Sequence, residues 1–96
     1  MATVQINWNL GASLGNIDKT VVHKEIGGDC ASLEALALAG DAGSLVHEDT
    51  SPLTDTSFIE TNVGVGNWTY GVFAKNGAGV NACIAGQSIA TVNITN

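Results

Sequence analysis

The sequence predicts an all-β fold: an antiparallel sandwich of short strands, with one short helical turn near residues 31–39. Three observations lead there. Apolar and polar residues alternate along several short segments, as they do on half-buried strands. Clusters of Gly, Asn, Asp and Ser separate those segments, which is the punctuation of an antiparallel chain. The 96 residues leave room for one core, so a single domain spanning 1–96 is expected.

Thr3-Val4-Gln5-Ile6-Asn7-Trp8 places Val4, Ile6 and Trp8 on one face and Thr3, Gln5 and Asn7 on the other. Asn9 to Asn16 is rich in Gly, Asn and Ser and reads as a loop. Ile17 to Glu25 is β-branched at Thr20, Val21 and Val22 and is stopped by Gly27-Gly28-Asp29. Ala31 to Ala39 is built of Ala, Leu and Glu with Gly40 as a stop, which favours a short helical turn over a short edge strand. Ser44 to Glu48 is a brief strand, followed by the turn Asp49-Thr50-Ser51-Pro52. Ser57 to Thr61 is the next strand, and Val63-Gly64-Val65-Gly66-Asn67 a glycine-rich corner. Trp68 to Lys75 turns Trp68, Tyr70, Val72 and Ala74 one way and Thr69, Gly71, Phe73 and Lys75 the other. After the turn signal Asn76-Gly77-Ala78-Gly79, a final strand over Gln87 to Thr95 has Ala90, Val92 and Ile94 as its inward face.

The charge distribution is uneven. Hydrophobic residues make up 45% of the chain and charged ones only 12%, about half the usual share of roughly 25%. All nine acids fall between Asp18 and Glu60, there is no arginine, and the net charge is −6. Residues 1–16 carry no charge and residues 61–96 carry only Lys75. Such a chain lacks the Lys and Arg that nucleic acid or an anionic membrane surface requires. No segment approaches the roughly 20 apolar residues of a membrane span, and the N-terminus lacks the pattern of a signal peptide. The expectation is a product made in a cytoplasm, with Cys30 and Cys83 as free thiols by default. Their separation matches no zinc or redox spacing, and it does not forbid a disulfide.

The stretch from Thr56 to Gly79, with Phe58, the corner glycines, Trp68, Tyr70 and Ala74-Lys75-Asn76-Gly77-Ala78-Gly79, resembles the E–F half of a fibronectin type III domain. Val4 to Trp8 looks like strand B of that Ig-like family, Ile17 to Lys24 like strand C, and Ala90 to Thr95 like the closing strand G. The resemblance implies a sandwich lacking the first strand, A. It also puts Trp68 where the family has its corner tyrosine, so the corner hydrogen bond has to come from an indole N–H or be lost.

Candidate chemistry is sparse. His47-Glu48-Asp49 is the only run of metal-capable side chains, and consecutive strand residues point to opposite faces and converge poorly on an ion. Cys83 with His23 or His47 lacks an activating surround and an orienting third group. Asn76 to Val80 lacks the Lys and Ser/Thr of a phosphate loop. No catalytic residue, metal ligand or cofactor is expected.

Surface chemistry carries the functional expectation. Phe73 and Ile89 are expected outward on neighbouring strands, with Thr69, Gly71, Thr91 and Asn93 between them. The uncharged connection from Asn76 to Gly86 adds Val80 and Ile84. The strand holding Val4 and Ile6 has no Pro, Lys or evident bulge to protect a bare edge. Val4, Ile6, Phe73, Val80, Ile84 and Ile89 are therefore the interface candidates. Fibronectin-type-III-like sandwiches are chiefly binding and spacer modules, which implies a non-enzymatic structural or interaction protein. An acidic, arginine-free sandwich of this size looks like the capsid decoration (cement) and tail accessory proteins of tailed-phage virions. Its expected partners are capsid or tail proteins or copies of itself, with the acidic middle facing solvent, and its expected location is the virion. The alternative is a carbohydrate- or cell-surface-binding module that stacks sugars on Trp68, Tyr70 or Phe73.

Overall fold

A computed structural model describes residues 2–9, 17–77 and 79–95. In chain order it contains β1 (Ala2–Asn7), β2 (Lys19–Ile26), α1 (Cys30–Ala39), β3 (Leu45–Thr50), β4 (Ser57–Val63), β5 (Gly66–Asn76), β6 (Gly79–Val80) and β7 (Ile89–Ile94). Most of the loop expected over Asn9 to Asn16, and Ala78 of the expected turn, lie outside the described residues. The chain is all-β and antiparallel with one short helix, as its alternation predicts.

Two sheets form. β1 pairs with β4 alone, with Gln5 opposite Ile59 and Asn7 opposite Ser57. The larger sheet runs β3-β2-β5, and both β6 and β7 lie along the far edge of β5. Central pairing between β2 and β5 extends from Lys19 opposite Lys75 to Ile26 opposite Trp68. The two sheets meet in a sandwich-like core where Val4, Ile6 and Val63 pack on Val22 and Tyr70, ringed by Trp8, Val46, Trp68, Val72, Val92 and Ile94. Each large apolar side chain removed from water there contributes roughly 2 kcal/mol.

The opposite face of the larger sheet is also buried. Leu33 and Ala37 of α1 sit on Val21 and Phe73, with Leu36, Leu45, Val80, Cys83 and Ile89 around them. The helix forms where the run of Ala and Leu predicts. The Asp29 carboxylate caps it by accepting from Ser32 N–H at 2.9 Å, and Ser32 Oγ accepts from Asp29 N–H in return. Gly40 ends it in the left-handed conformation, φ 67°, that a glycine takes without a Cβ clash.

Two expectations are corrected. Phe73 does face away from the sandwich core, as the alternation on β5 predicts, but it is 0% exposed because α1 lies over it. Cys30 and Cys83 are not free thiols; they form a disulfide. The helix start is carried under the β6–β7 connection, which brings the two Cα atoms to 5.4 Å, within bridging range despite a separation of 53 positions. Helix coverage and disulfide are one arrangement: the bridge pins α1 to the strand connection that it packs against.

Candidate interaction surface

The outer face of the β1–β4 sheet is built by simple alternation. Val4 and Ile6 point inward, so Thr3, Gln5 and Asn7 point out, beside Ser57, Ile59 and Thr61 of β4. All six are exposed and none is charged, and Ile59 stands 57% exposed opposite Gln5. Glu60, the one acid on β4, turns inward. It accepts from Lys24 Nζ at 2.9 Å and from the Tyr70 hydroxyl at 2.7 Å. Burial first, and then the neighbouring Glu60 carboxylate, hold the Tyr70 phenol well above its ordinary range.

Among the described residues, the edge of β1 away from β4 is open. Trp8 N–H donates to Thr56 O at 2.9 Å, continuing the register in which Ile6 faces Phe58. Backbone groups reverse direction at each residue of an antiparallel pair, so Val4, Ile6 and Trp8 turn theirs to β4, and Gln5 and Asn7 turn theirs away. Among the described residues no strand pairs with that edge. Beside it a cleft of about 720 Å³ opens between β1 and the β5–β7 side of the larger sheet, lined by Ile6, Trp8, Tyr70, Val72, Ile84 and Ala90, among others. Ala90, expected inward, does lie on that side, yet it is exposed: the small sheet stops short of it. Trp8 Nε1 is removed from solvent and has no hydrogen-bond partner among the described residues.

The structure separates the six residues singled out from the sequence. Val4 and Ile6 are 6% and 7% exposed, so their side chains belong to the core and only the backbone of their strand reaches a surface. Phe73 is buried, and Val80 and Ile89 pack around it beneath α1. Ile84 alone is freely presented, at 53% exposure, on the rim of the cleft. Ile59 and the cleft escaped the sequence reading. A strand pattern gives the direction of a side chain but not what lies across from it.

The acids are also not a free solvated remainder. Eight of the nine accept hydrogen bonds inside the protein: Glu25, Asp29, Glu34, Asp41, Glu48, Asp49, Asp55 and Glu60. With few cations available, they mostly bind backbone N–H groups and hydroxyls. Asp49 Oδ2 takes the N–H groups of Thr54 and Asp55, and Glu34 Oε1 takes Cys83 N–H at 2.7 Å beside the disulfide. Hydrogen bonds from Ser32 hold the Asp29 carboxyl below its ordinary value.

His47, Glu48 and Asp49 each find a different partner. His47 Nε2 lies 2.8 Å from Asp55 Oδ2, Glu48 pairs with Lys19, and Asp49 organises the following turn. No three His, Cys, Asp or Glu side chains converge on an ion site among the described residues. His23 is buried with Nδ1 2.8 Å from Ser44 Oγ, and burial lowers its basicity. No helix of the described structure is long and apolar enough to cross a membrane. Comparison of the chain with protein-family models, with curated proteins and with solved structures finds no match.

Proposed function

We propose that the protein is a non-enzymatic structural component that docks on a larger protein assembly, of the kind formed by the capsid or tail of a virion. The observation that carries this reading is the uncharged outer face of the β1–β4 sheet. A chain of net charge −6 presents six neighbouring exposed side chains without one charge, with Ile59 among them. A solvated sheet face ordinarily carries Lys and Glu, whereas a protein contact is apolar at its centre and polar at its rim. The resemblance to fibronectin type III modules supports the binding-module class. The Cys30–Cys83 bond suits a component that works outside a reducing cytosol, and locking Cys83 in it leaves that residue no thiolate for covalent catalysis. Of the aromatics needed by a sugar-binding reading, Tyr70 and Phe73 are buried, and Lys24 lies 4.3 Å over the ring of Trp68.

The test is co-sedimentation of the purified protein with virions, or other large particles, from its source. The wild type is expected to pellet at a saturable ratio, and the equally folded Ile59→Glu variant to stay in the supernatant. A wild type that remains a monomer in the supernatant overturns the reading.

A further inference from the structure

We infer that the cleft beside β1 is a strand-acceptor site, which takes an extended, uncharged peptide segment of a partner protein as a third strand of the small sheet. This deepens the docking reading above and rests on it for the existence of a partner. Two independent features meet at the site. The first is an edge: Gln5 and Asn7 direct their backbone N–H and C=O groups away from β4, and nothing described takes them up. An open edge of this kind is a template for an added strand. The second is a cavity of about 720 Å³ running from that edge over the inner face of the larger sheet, where Val72 is only partly buried and Ala90 is exposed. A strand on the β1 edge would turn alternate side chains into this space, since successive residues point to opposite faces.

The lining selects the class of occupant. None of its described residues is charged, in a protein with nine acids, so an inward Lys, Arg, Asp or Glu of the incoming segment would be desolvated without a partner. Small and medium apolar side chains fit, alternating with polar ones that join the outer face. A second copy offering its own β1 satisfies the edge but not the cavity, because its Val4 and Ile6 are already committed to its own core.

The probe is a capped nine-residue peptide alternating Val with Thr, titrated into the oxidised full chain and followed by calorimetry and amide hydrogen exchange. Saturable binding is expected, with the Gln5 and Asn7 amides newly protected. The same peptide with its edge-facing amides N-methylated is expected to bind at least about tenfold more weakly, the factor that one or two lost hydrogen bonds supply. Gln5→Pro removes an outward N–H without touching the β4 ladder, and Ala90→Asp puts a charge in the cleft; each is expected to weaken binding by about tenfold or more. If Gln5→Pro fails to fold, Ala90→Asp at an exposed position carries the test. Leu38→Lys, at an exposed position of α1 outside the cleft lining, is expected to leave peptide binding unchanged. Absence of binding, or binding without protection of Gln5 and Asn7, overturns the inference. A concentration-dependent dimer abolished by Gln5→Pro overturns it in favour of a second copy. Particle pelleting without peptide binding removes this inference and leaves the docking reading, whereas peptide binding without pelleting removes the docking reading alone.

Discussion

The indole Nε1 of Trp68 donates to the carbonyl oxygen of Gly64 at 2.9 Å and so closes the corner between β4 and β5. The bond spans four residues across the turn that takes the chain from the small sheet to the large one. Trp68 also carries Lys24 over its ring, and Lys24 in turn holds Glu60 of β4. One side chain thus ties the corner, β2 and the small sheet together. Trp68→Phe keeps an aromatic ring and removes the donor. A loss of about 1–2 kcal/mol is expected in urea denaturation, the cost of one partly buried hydrogen bond and some ring contact.

Gly71 lies on β5 under the ring of Phe73. A Cβ built there would stand 2.7 Å from Phe73 Cε2 and 3.1 Å from Cζ, with Leu33 Cβ at 3.4 Å. Phe73 is fully buried beneath α1 and has little room to retreat. Gly71→Ala is therefore expected to destabilise the protein by about 1–3 kcal/mol despite its better strand propensity. Equilibrium unfolding monitored by circular dichroism measures it.

Removing the disulfide by Cys30→Ser with Cys83→Ser releases the constraint on 53 positions of chain. The chain-entropy model puts the loss at about 4 kcal/mol. A lower guanidinium midpoint is expected, together with faster hydrogen exchange in α1, since the bridge and the Glu34–Cys83 bond both hold the helix to the β6–β7 connection. An unchanged midpoint in reductant would refute this role.

Acid is expected to weaken the fold through His23. Burial lowers its basicity in the folded state, and Lys75 adds to that while Asp41 opposes it. The unfolded chain takes up its proton at an ordinary value near 6.5, before the folded protein does. Stability is therefore full above that pH and falls as pH drops from about 6.5 toward the lower folded value. His23→Gln is expected to flatten the slope of Tm between pH 7 and pH 5, though it lowers Tm at pH 7 by disturbing the contact with Ser44.

Much of the local structure was legible in the sequence. Alternation located β1 and set the two faces of β5, with Tyr70 on one side and Phe73 on the other, and β-branching located β2, while β3 runs on through Asp49 and Thr50, which were expected in a turn. Gly40 marked the helix end, and the corner position of Trp68 anticipated its indole bond. The Asp29 cap was also there to be found, as an acid directly before a helix-forming run, although Gly27-Gly28-Asp29 read only as a strand stop. The interaction surface was less legible. Phe73 and Ile89 read as an outward apolar face because nothing in a strand pattern records that a helix from another part of the chain will lie on it.

By itself, the sequence determined the strand periods, the helix and the scarcity of charge, because these depend on neighbours a few residues apart. The tertiary structure decided which apolar face α1 covers, that Cys30 meets Cys83, that eight acids serve as internal acceptors, and that among the described residues the edge at Gln5 and Asn7 stands open beside a cleft. These are relations between segments distant along the chain. A residue's spacing tells which way its side chain points, and only packing settles what it meets there.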